Sequence, residues 1–561
     1  MKKFPKRLTA LGISAVLAAT MLAGCGNGGG QPSDNQSESK VPETTGAASG
    51  TETTASGTET GGYPDYSEGF QNQVTIQIPV YDRGYEGWNT TDNYYTRWIQ
   101  QEFGDKYNVK VEYVGISRNN EVQDYMQLIA AHTAPDIIFH YDMPQAVSYY
   151  SEGAMQDIDY NELAFYAPKF WDGVKDAVNT YGKLDGKNAF FFAERDPIYY
   201  SYVTLIRKDW CDQVGKEIPT THDELNEVAT AWKEAGLGTL GDTLITKSFT
   251  YMASWIDPNT SQEELAQYFD LNVAPFTWEA TKLYLQARNE QYNAGIYDPE
   301  FYLVTEEGLA KSKFVSGQTG TFSFFMSSGT DVFSSLLANQ PDAEVATMGT
   351  LYPPADGFHS NYYQYPPYGM IMGMNADTSA EERAAVYMLL EWMNQPENLT
   401  FLQYGIEGET YSVNEDGIAI RKSDYEGEAK LSQNNNKDYW CLVQEVQTYG
   451  DDEKDLIANK LNLAPAGYDY LIQAQYDFAK SREEYGLLIP VFTKSVESSK
   501  EYSADLKALW QEAYVDCITC APEQFEAKYA EYCEEYLDAG YQEILDEKAA
   551  LIAEGAVIYT N

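Results

Sequence analysis

Apolar and polar side chains alternate over Val74-Thr75-Ile76-Gln77-Ile78 and again over Val109-Lys110-Val111-Glu112-Tyr113-Val114, which predicts two half-buried strands. Between them Tyr95, Trp98, Ile99 and Phe103 recur at helical spacing, and Gly104 closes that helix. Val122, Tyr125, Met126 and Ile129 predict the buried face of a second helix, after which Pro135 leads into the short apolar run Asp136 to Phe139, read as a buried strand. Strand, helix, strand, helix, strand in units of roughly 25–30 residues is the rhythm of a parallel α/β sheet.

A second α/β region starts near Tyr199, with a strand at Tyr202-Val203-Thr204-Leu205-Ile206. Thr221 and Glu224 form a capping box ahead of the stripe Leu225, Val228, Ala229 and Trp232. Phe322 to Phe325 and Tyr368 to Met374 read as further strands. Ser379 and Glu382 then cap a helix whose core stripe is Val386, Leu389, Leu390 and Met393. About 110 C-terminal residues read mostly as acidic amphipathic helices.

In open α/β sheets ligands sit beyond the carboxyl ends of the strands. That rule puts Tyr81, Asp82 and Arg83, after the first strand, on the same rim as His140, Tyr141 and Asp142, after the third. Asp136 and the tryptophans Trp98, Trp210, Trp232 and Trp392 read as framework.

Composition narrows what such a rim could bind. The 561 residues suit two lobes with separate cores, and aromatics are 14% of the chain, 46 of them tyrosines. A formal charge of −47 excludes nucleic acid and anionic membrane surfaces as partners, since both need clustered cations. His132, His140, His222 and His359 lack metal-ligand spacing, so no metal and no cofactor is expected. Cys517 and Cys520 form a lone C-x-x-C, with Cys211, Cys441 and Cys533 scattered; inert thiols and one local disulfide both remain open. No G-x-S-x-G, P-loop or metal-ligand run argues for catalysis, although 85 acidic residues leave a glycosidase-like carboxylate pair possible in principle.

At the N-terminus Lys2, Lys3, Lys6 and Arg7 precede an apolar stretch from Leu8 to Ala18, too short to span a membrane comfortably. It ends in Leu22-Ala23-Gly24-Cys25, which resembles a bacterial lipobox, with Cys25 as the lipidated residue. Removing residues 1–24 takes the charge from −47 to −51. Gly26 to Gly62 is nearly all Gly, Ser, Thr, Glu and Gln and is expected to be a disordered tether, its ends on the order of 30–35 Å apart.

Several motifs in one order resemble the extracellular solute-binding lipoproteins of ABC importers, of the carbohydrate-binding group and its large Gram-positive subgroup. They are LIAAHTAPDII from Leu128, with His132 where glycine is usual; EGAMQDI from Glu152; RKDW from Arg207 followed by PTTHDEL; AGIYDPE from Ala294; FVSGQTG from Phe314; and YGIEGETY from Tyr404. The resemblance implies a two-lobed α/β fold of the type II periplasmic-binding-protein kind, with a hinge between lobes and a helical C-terminal region. It divides the chain into a signal peptide (1–25), a tether (26–69), a first lobe (70–197 plus 371–412) and a second (198–370 plus 413–561). It also implies a monomer on the extracellular face of the membrane that captures an oligosaccharide, is not an enzyme, and delivers its ligand to permease subunits. The alternatives are a secreted carbohydrate-active enzyme and a non-transport surface lipoprotein.

Saccharide sites combine ring faces with planar polar groups in a cleft. Phe325 follows a strand whose turn supplies a stacking ring in the family. Trp255, Tyr365 (from the ring-rich run 361–368) and Trp440 complete the candidates, with Tyr81, Asp82, Arg83, His140, Tyr141 and Asp142.

Overall fold

The computed structural model describes residues 62–118, 120–196, 202–241, 252–257, 259–270, 272–305, 307–325, 329–348, 362–363, 365–422, 424–429, 436–481 and 486–559. Cys25 and the tether up to residue 61 lie outside the described residues.

The first alternating stretch is β1 (Val74–Asp82), paired in parallel with β2 (Val109–Ser117), Val74 opposite Val109 and Asp82 opposite Ser117. The alternation in β1 ends at Gln77: from Ile78 to Tyr81 every side chain is buried, because both faces of the strand are covered there. Asn93 caps α1 (Tyr94–Ile99), its side chain accepting from the amides of Tyr95 and Thr96. The helix relaxes into a π turn at Gln100–Gly104. At Gly104 a Cβ would lie 2.6 Å from the Val109 carbonyl, so the glycine lets β2 start directly beneath the helix.

The helix α2 (Glu121–Ala130) departs from the expected stripe. Tyr125 is buried, but Val122 is 37% and Met126 60% exposed. The inward face runs through Glu121 and Tyr125, because Glu121 hydrogen-bonds Tyr81 and the Tyr125 hydroxyl accepts from the Phe139 amide at 3.3 Å. A buried carboxylate rotates the helix away from its apolar pattern.

β3 (Ile137–His140) is buried throughout, but it does not extend the parallel ladder. It pairs antiparallel with Ile371–Asn375, Ile371 opposite His140, in a second, antiparallel sheet separate from the β1–β2 pair. Asp136 joins β3 to β1 instead: its Oδ2 accepts from the Gln77 amide at 2.6 Å and its Oδ1 from Thr378 Oγ1 at 2.7 Å. The framework role expected of it is what the structure shows.

Three segments run side by side past this core. Gly369 N donates to Ala193 O, Glu194 N to Val443 O, and Glu445 N to Glu194 O. The first apolar cluster gathers Ile76, Ile78, Ile138, Phe191, Met372 and Leu390, and also Tyr439 to Val443. Residues 439–443 therefore pack with the first core, although the boundaries expected from sequence run 413–561 with the second lobe.

In the second region Tyr202–Arg207 is the middle of three antiparallel strands, flanked by Thr321–Phe325 and Val345–Met348. Two further clusters fill it, one around Trp210, Trp232, Phe276 and Trp510, the other around Leu205, Phe322 and Val345. The capping boxes at Thr221–Glu224 and Ser379–Glu382 close in both directions. The acidic C-terminal part forms the helices Asp452–Leu463, Asp469–Ser481, Glu497–Thr519, Phe525–Tyr536 and Gln542–Ala553. No helix among the described residues is long and apolar enough to cross a membrane.

Candidate functional site

The ends of β1, β2 and β3 converge on one buried carboxylate. Glu121, at the first turn of α2, accepts from Tyr81 Oη at 2.7 Å and from Arg118 Nη1 at 2.7 Å. His140 Nε2 stands 3.4 Å from the same carboxylate. His140 Nδ1 accepts from the Asp142 amide at 2.9 Å, which assigns the ring proton to Nε2, facing Glu121.

Above this carboxylate lie the rings. Tyr81 and Tyr141 are nearly parallel, 14° apart with centroids 6.1 Å apart. The Arg118 guanidinium carbon is 4.9 Å from the Tyr81 centroid and 5.5 Å from that of Tyr141. Tyr81 is 2% exposed: it still belongs to the strand and forms the floor, while half-buried Tyr141 forms the upper face. Burial, reinforced by the neighbouring Glu121 charge, holds the Tyr81 phenol far above its ordinary range, so it remains a hydrogen-bond donor.

The loop after β1 is fixed from a distant part of the chain. Arg83 Nε and Nη2 grip Asp438 Oδ2 and Oδ1, each at 2.8 Å. Tyr439 Oη donates to the Thr90 carbonyl at 2.8 Å and accepts from Asn93 Nδ2 at 2.6 Å and Trp88 Nε1 at 3.1 Å. Burial pushes the Asp438 carboxyl up and the Arg83 hydrogen bonds pull against that push. Burial alone would lower the guanidinium, but Asp438 more than offsets it, and Arg83 stays charged.

Of the residues predicted from sequence, Tyr81, Arg83, His140, Tyr141 and Asp142 come together here. Asp82 is exposed beside them, its Oδ1 accepting from the Gly84 amide at 2.9 Å. Asp142 precedes α3 (Met143–Ser151), but its side chain makes no cap hydrogen bond. Trp440 is 4% exposed within the first core cluster, with Lys437 Nζ 5.9 Å from its ring; it is packed as core. Trp255 packs against the second cluster, stacked on His222 at 4.2 Å. Burial drives that imidazole down to about 3, and nearby Arg288 adds to the effect. Tyr365 stands over the Arg195 guanidinium at 5.3 Å. Phe325 ends its strand, and its side chain lies outside the described residues.

Glu121, Arg118 and Asp438 were missed. The same strand-end rule, at the end of β2, leads straight to Arg118 and Glu121. Asp438 lies 355 positions from Arg83, and no local pattern marks it.

Among the described residues no cluster of His, Cys, Asp or Glu could hold a metal ion. Cys517 and Cys520 are free thiols, Cys520 Sγ donating to the Cys517 carbonyl at 3.3 Å. A cavity of about 540 Å³ near the C-terminal helices is lined by Glu497, Ser498, Lys500, Glu501, Tyr502 and Glu543, and shares no residue with the rim.

Residues 98–406, just over half of the chain, match the profile of a family described as bacterial extracellular solute-binding protein. A curated relative, the polygalacturonan/rhamnogalacturonan-binding protein YtcQ of Bacillus subtilis strain 168, is 24% identical over 316 residues, spanning 50% of this chain and 58% of the relative. The alginate-binding protein AlgQ2, solved without calcium ion, superimposes with a TM-score of 0.60 at 16% identity over 87% of this chain and 99% of its own. An extracellular solute-binding protein from Bifidobacterium longum subsp. infantis gives 0.61 at 14% identity over 86% and 99%. FusA of S. pneumoniae, in complex with kestose, gives 0.59 at 12% identity over the same shares. At these identities the likeness is one of fold: α/β, two-lobed, of the type II periplasmic-binding-protein kind with a helical C-terminal region.

Proposed function

We propose, from the premise that the chain belongs to the bacterial extracellular solute-binding protein family, that it is the capture component of an ABC importer and holds an oligosaccharide between its lobes. The carrying observation is the rim itself. Tyr141 presents a ring face backed by Tyr81 and flanked by the planar guanidinium of Arg118, the pairing of stacking surface and in-plane donors that a saccharide needs. The saccharide named for YtcQ supports the ligand class.

The lobes are proposed as 70–197 plus 371–412 and 198–370 plus 413–561, with the stretch around 437–446 crossing between them. The packing of residues 439–443 in the first core and the side-by-side run of the three segments support that crossing. Lipidation at Cys25 and a flexible tether would hold the protein at the outer face of the membrane. The first described residues support an exit from the first lobe: Tyr66 stacks on Phe70 at 4.2 Å, and the Tyr166 hydroxyl donates to the Pro64 carbonyl at 2.8 Å. Binding without catalysis, a monomeric state and docking on permease subunits complete the proposal.

The test is a thermal-shift panel of oligosaccharides, peptides and amino acids on the purified protein. A ligand present at 100 times its Kd adds about 2.7 kcal/mol of stability. A rise in melting temperature with an oligosaccharide recovered intact is the expected result; a cleaved glycan, or a response to peptides alone, would overturn the proposal.

A further inference from the structure

We propose that Arg118 selects an acidic saccharide, its guanidinium receiving the carboxylate of a uronate residue; this builds on the rim being a saccharide site. A guanidinium carries five N–H donors in a planar fork. Arg118 commits one of them, Nη1, to Glu121, the single side-chain hydrogen bond the guanidinium makes among the described residues. The side chain as a whole is 40% exposed. Its place is nevertheless fixed, by Glu121 on one side and by the two tyrosine rings.

Both ion pairs at the rim point the same way. The side chains of Glu121 and Asp438 are each 5% exposed, whereas those of Arg118 and Arg83 are 40% and 21% exposed. In each pair the cationic side chain is the more exposed partner, in a chain whose formal charge is −47. Such a field gives a carboxylate a local reason to bind where the rest of the surface repels it. Arg83 has spent Nε and Nη2 on Asp438, whereas Arg118 has committed only Nη1, to Glu121, and so keeps more donors for a ligand. Three carboxylates oppose the effect: buried Glu121, already paired with Arg118, exposed Asp82, whose backbone carbonyl accepts from the Arg118 amide at 3.0 Å, and half-buried Asp142, so the ligand's acid group must reach the guanidinium itself.

The experiment is calorimetric titration of the purified protein with trisaccharides of galacturonate, mannuronate and glucuronate, each beside its carboxyl methyl ester, and with maltotriose, xylotriose and cellotriose. At least one uronate should bind, its ester at least about tenfold more weakly, and binding of the acid should weaken between 50 and 500 mM NaCl. Arg118→Gln should cost at least about tenfold for the acid, and Arg118→Lys, which keeps the charge but loses the fork, should fall between. Should Arg118→Gln alone fail to fold because Glu121 is stranded, the double variant Arg118→Gln/Glu121→Gln removes the buried charge and reads the same loss. Equal binding of acid and ester, binding of neutral trisaccharides only, or an unaffected double variant overturns the inference while leaving saccharide capture standing. If none of these saccharides binds, both readings fall.

Discussion

Replacing Arg83 with alanine strands Asp438, whose two carboxylate oxygens it holds at 2.8 Å and whose side chain is 5% exposed. Breaking a buried pair from one side costs about 3–5 kcal/mol. Arg83 is itself 21% exposed, and Lys437 and Arg118 still attract the carboxylate, so about 2–3 kcal/mol is expected at pH 7.5. The loss should depend on pH with a definite sign. Burial already pushes the Asp438 carboxyl up, and without Arg83 that push is less opposed. A carboxyl raised in the folded state is most favourable to folding below its unfolded value, about 3.9, and that contribution disappears as pH rises through the folded value. The penalty of Arg83→Ala should therefore shrink between pH 7.5 and pH 4.5. Urea unfolding followed by tryptophan fluorescence at both pH values, on wild type, Arg83→Ala, Asp438→Asn and the double variant, measures it. A coupling of at least about 1 kcal/mol at pH 7.5, with the pH dependence abolished in the double variant, is the expected result. A loss below about 0.5 kcal/mol, unchanged by pH, would refute the claim that this pair fixes the loop in a desolvated setting.

Two further substitutions probe packing away from the rim. In Gly369→Ala the new Cβ would lie 1.9 Å from Glu445 Cγ, and Glu445 cannot swing aside because Lys437 and the Met370 amide hold it; unfolding should become easier by about 1–3 kcal/mol, whereas Gly308→Ala, with open space around it, should cost nothing. His222→Phe preserves a ring against Trp255 and removes an imidazole whose pKa is lowered to about 3; wild type should lose stability relative to the variant as pH falls from about 6.5, by roughly 1 kcal/mol per unit, and parallel acid-denaturation curves would contradict this.

The fold was largely legible because its signals are local. Alternation marks β1 and β2, and the Thr221–Glu224 and Ser379–Glu382 capping boxes mark two helix starts to the residue. What misled was burial of polar groups. Glu121 occupies an inward position that the apolar stripe assigned to Val122 and Met126, and only the paired demands of Tyr81, Arg118 and His140 explain it. The strand-end rule puts Tyr81 on the rim, but β1 runs on to Asp82 and keeps the ring beneath the surface. Pairing across the chain was illegible for a different reason: nothing near Asp438 or Tyr439 in sequence tells that they clamp Arg83, Trp88 and Asn93. The antiparallel partner of β3, more than 200 residues downstream, is another such case.

That an oligosaccharide rests on the ends of β1, β2 and β3 is tested most directly by hydrogen–deuterium exchange, with and without the saccharide that gives the largest thermal shift. Protection is predicted to concentrate at residues 82–88, 117–121 and 140–143, and to disappear there in Tyr141→Ala. Protection confined to the C-terminal helices around Glu497 to Tyr502 and Glu543, with the strand ends unchanged, would contradict it.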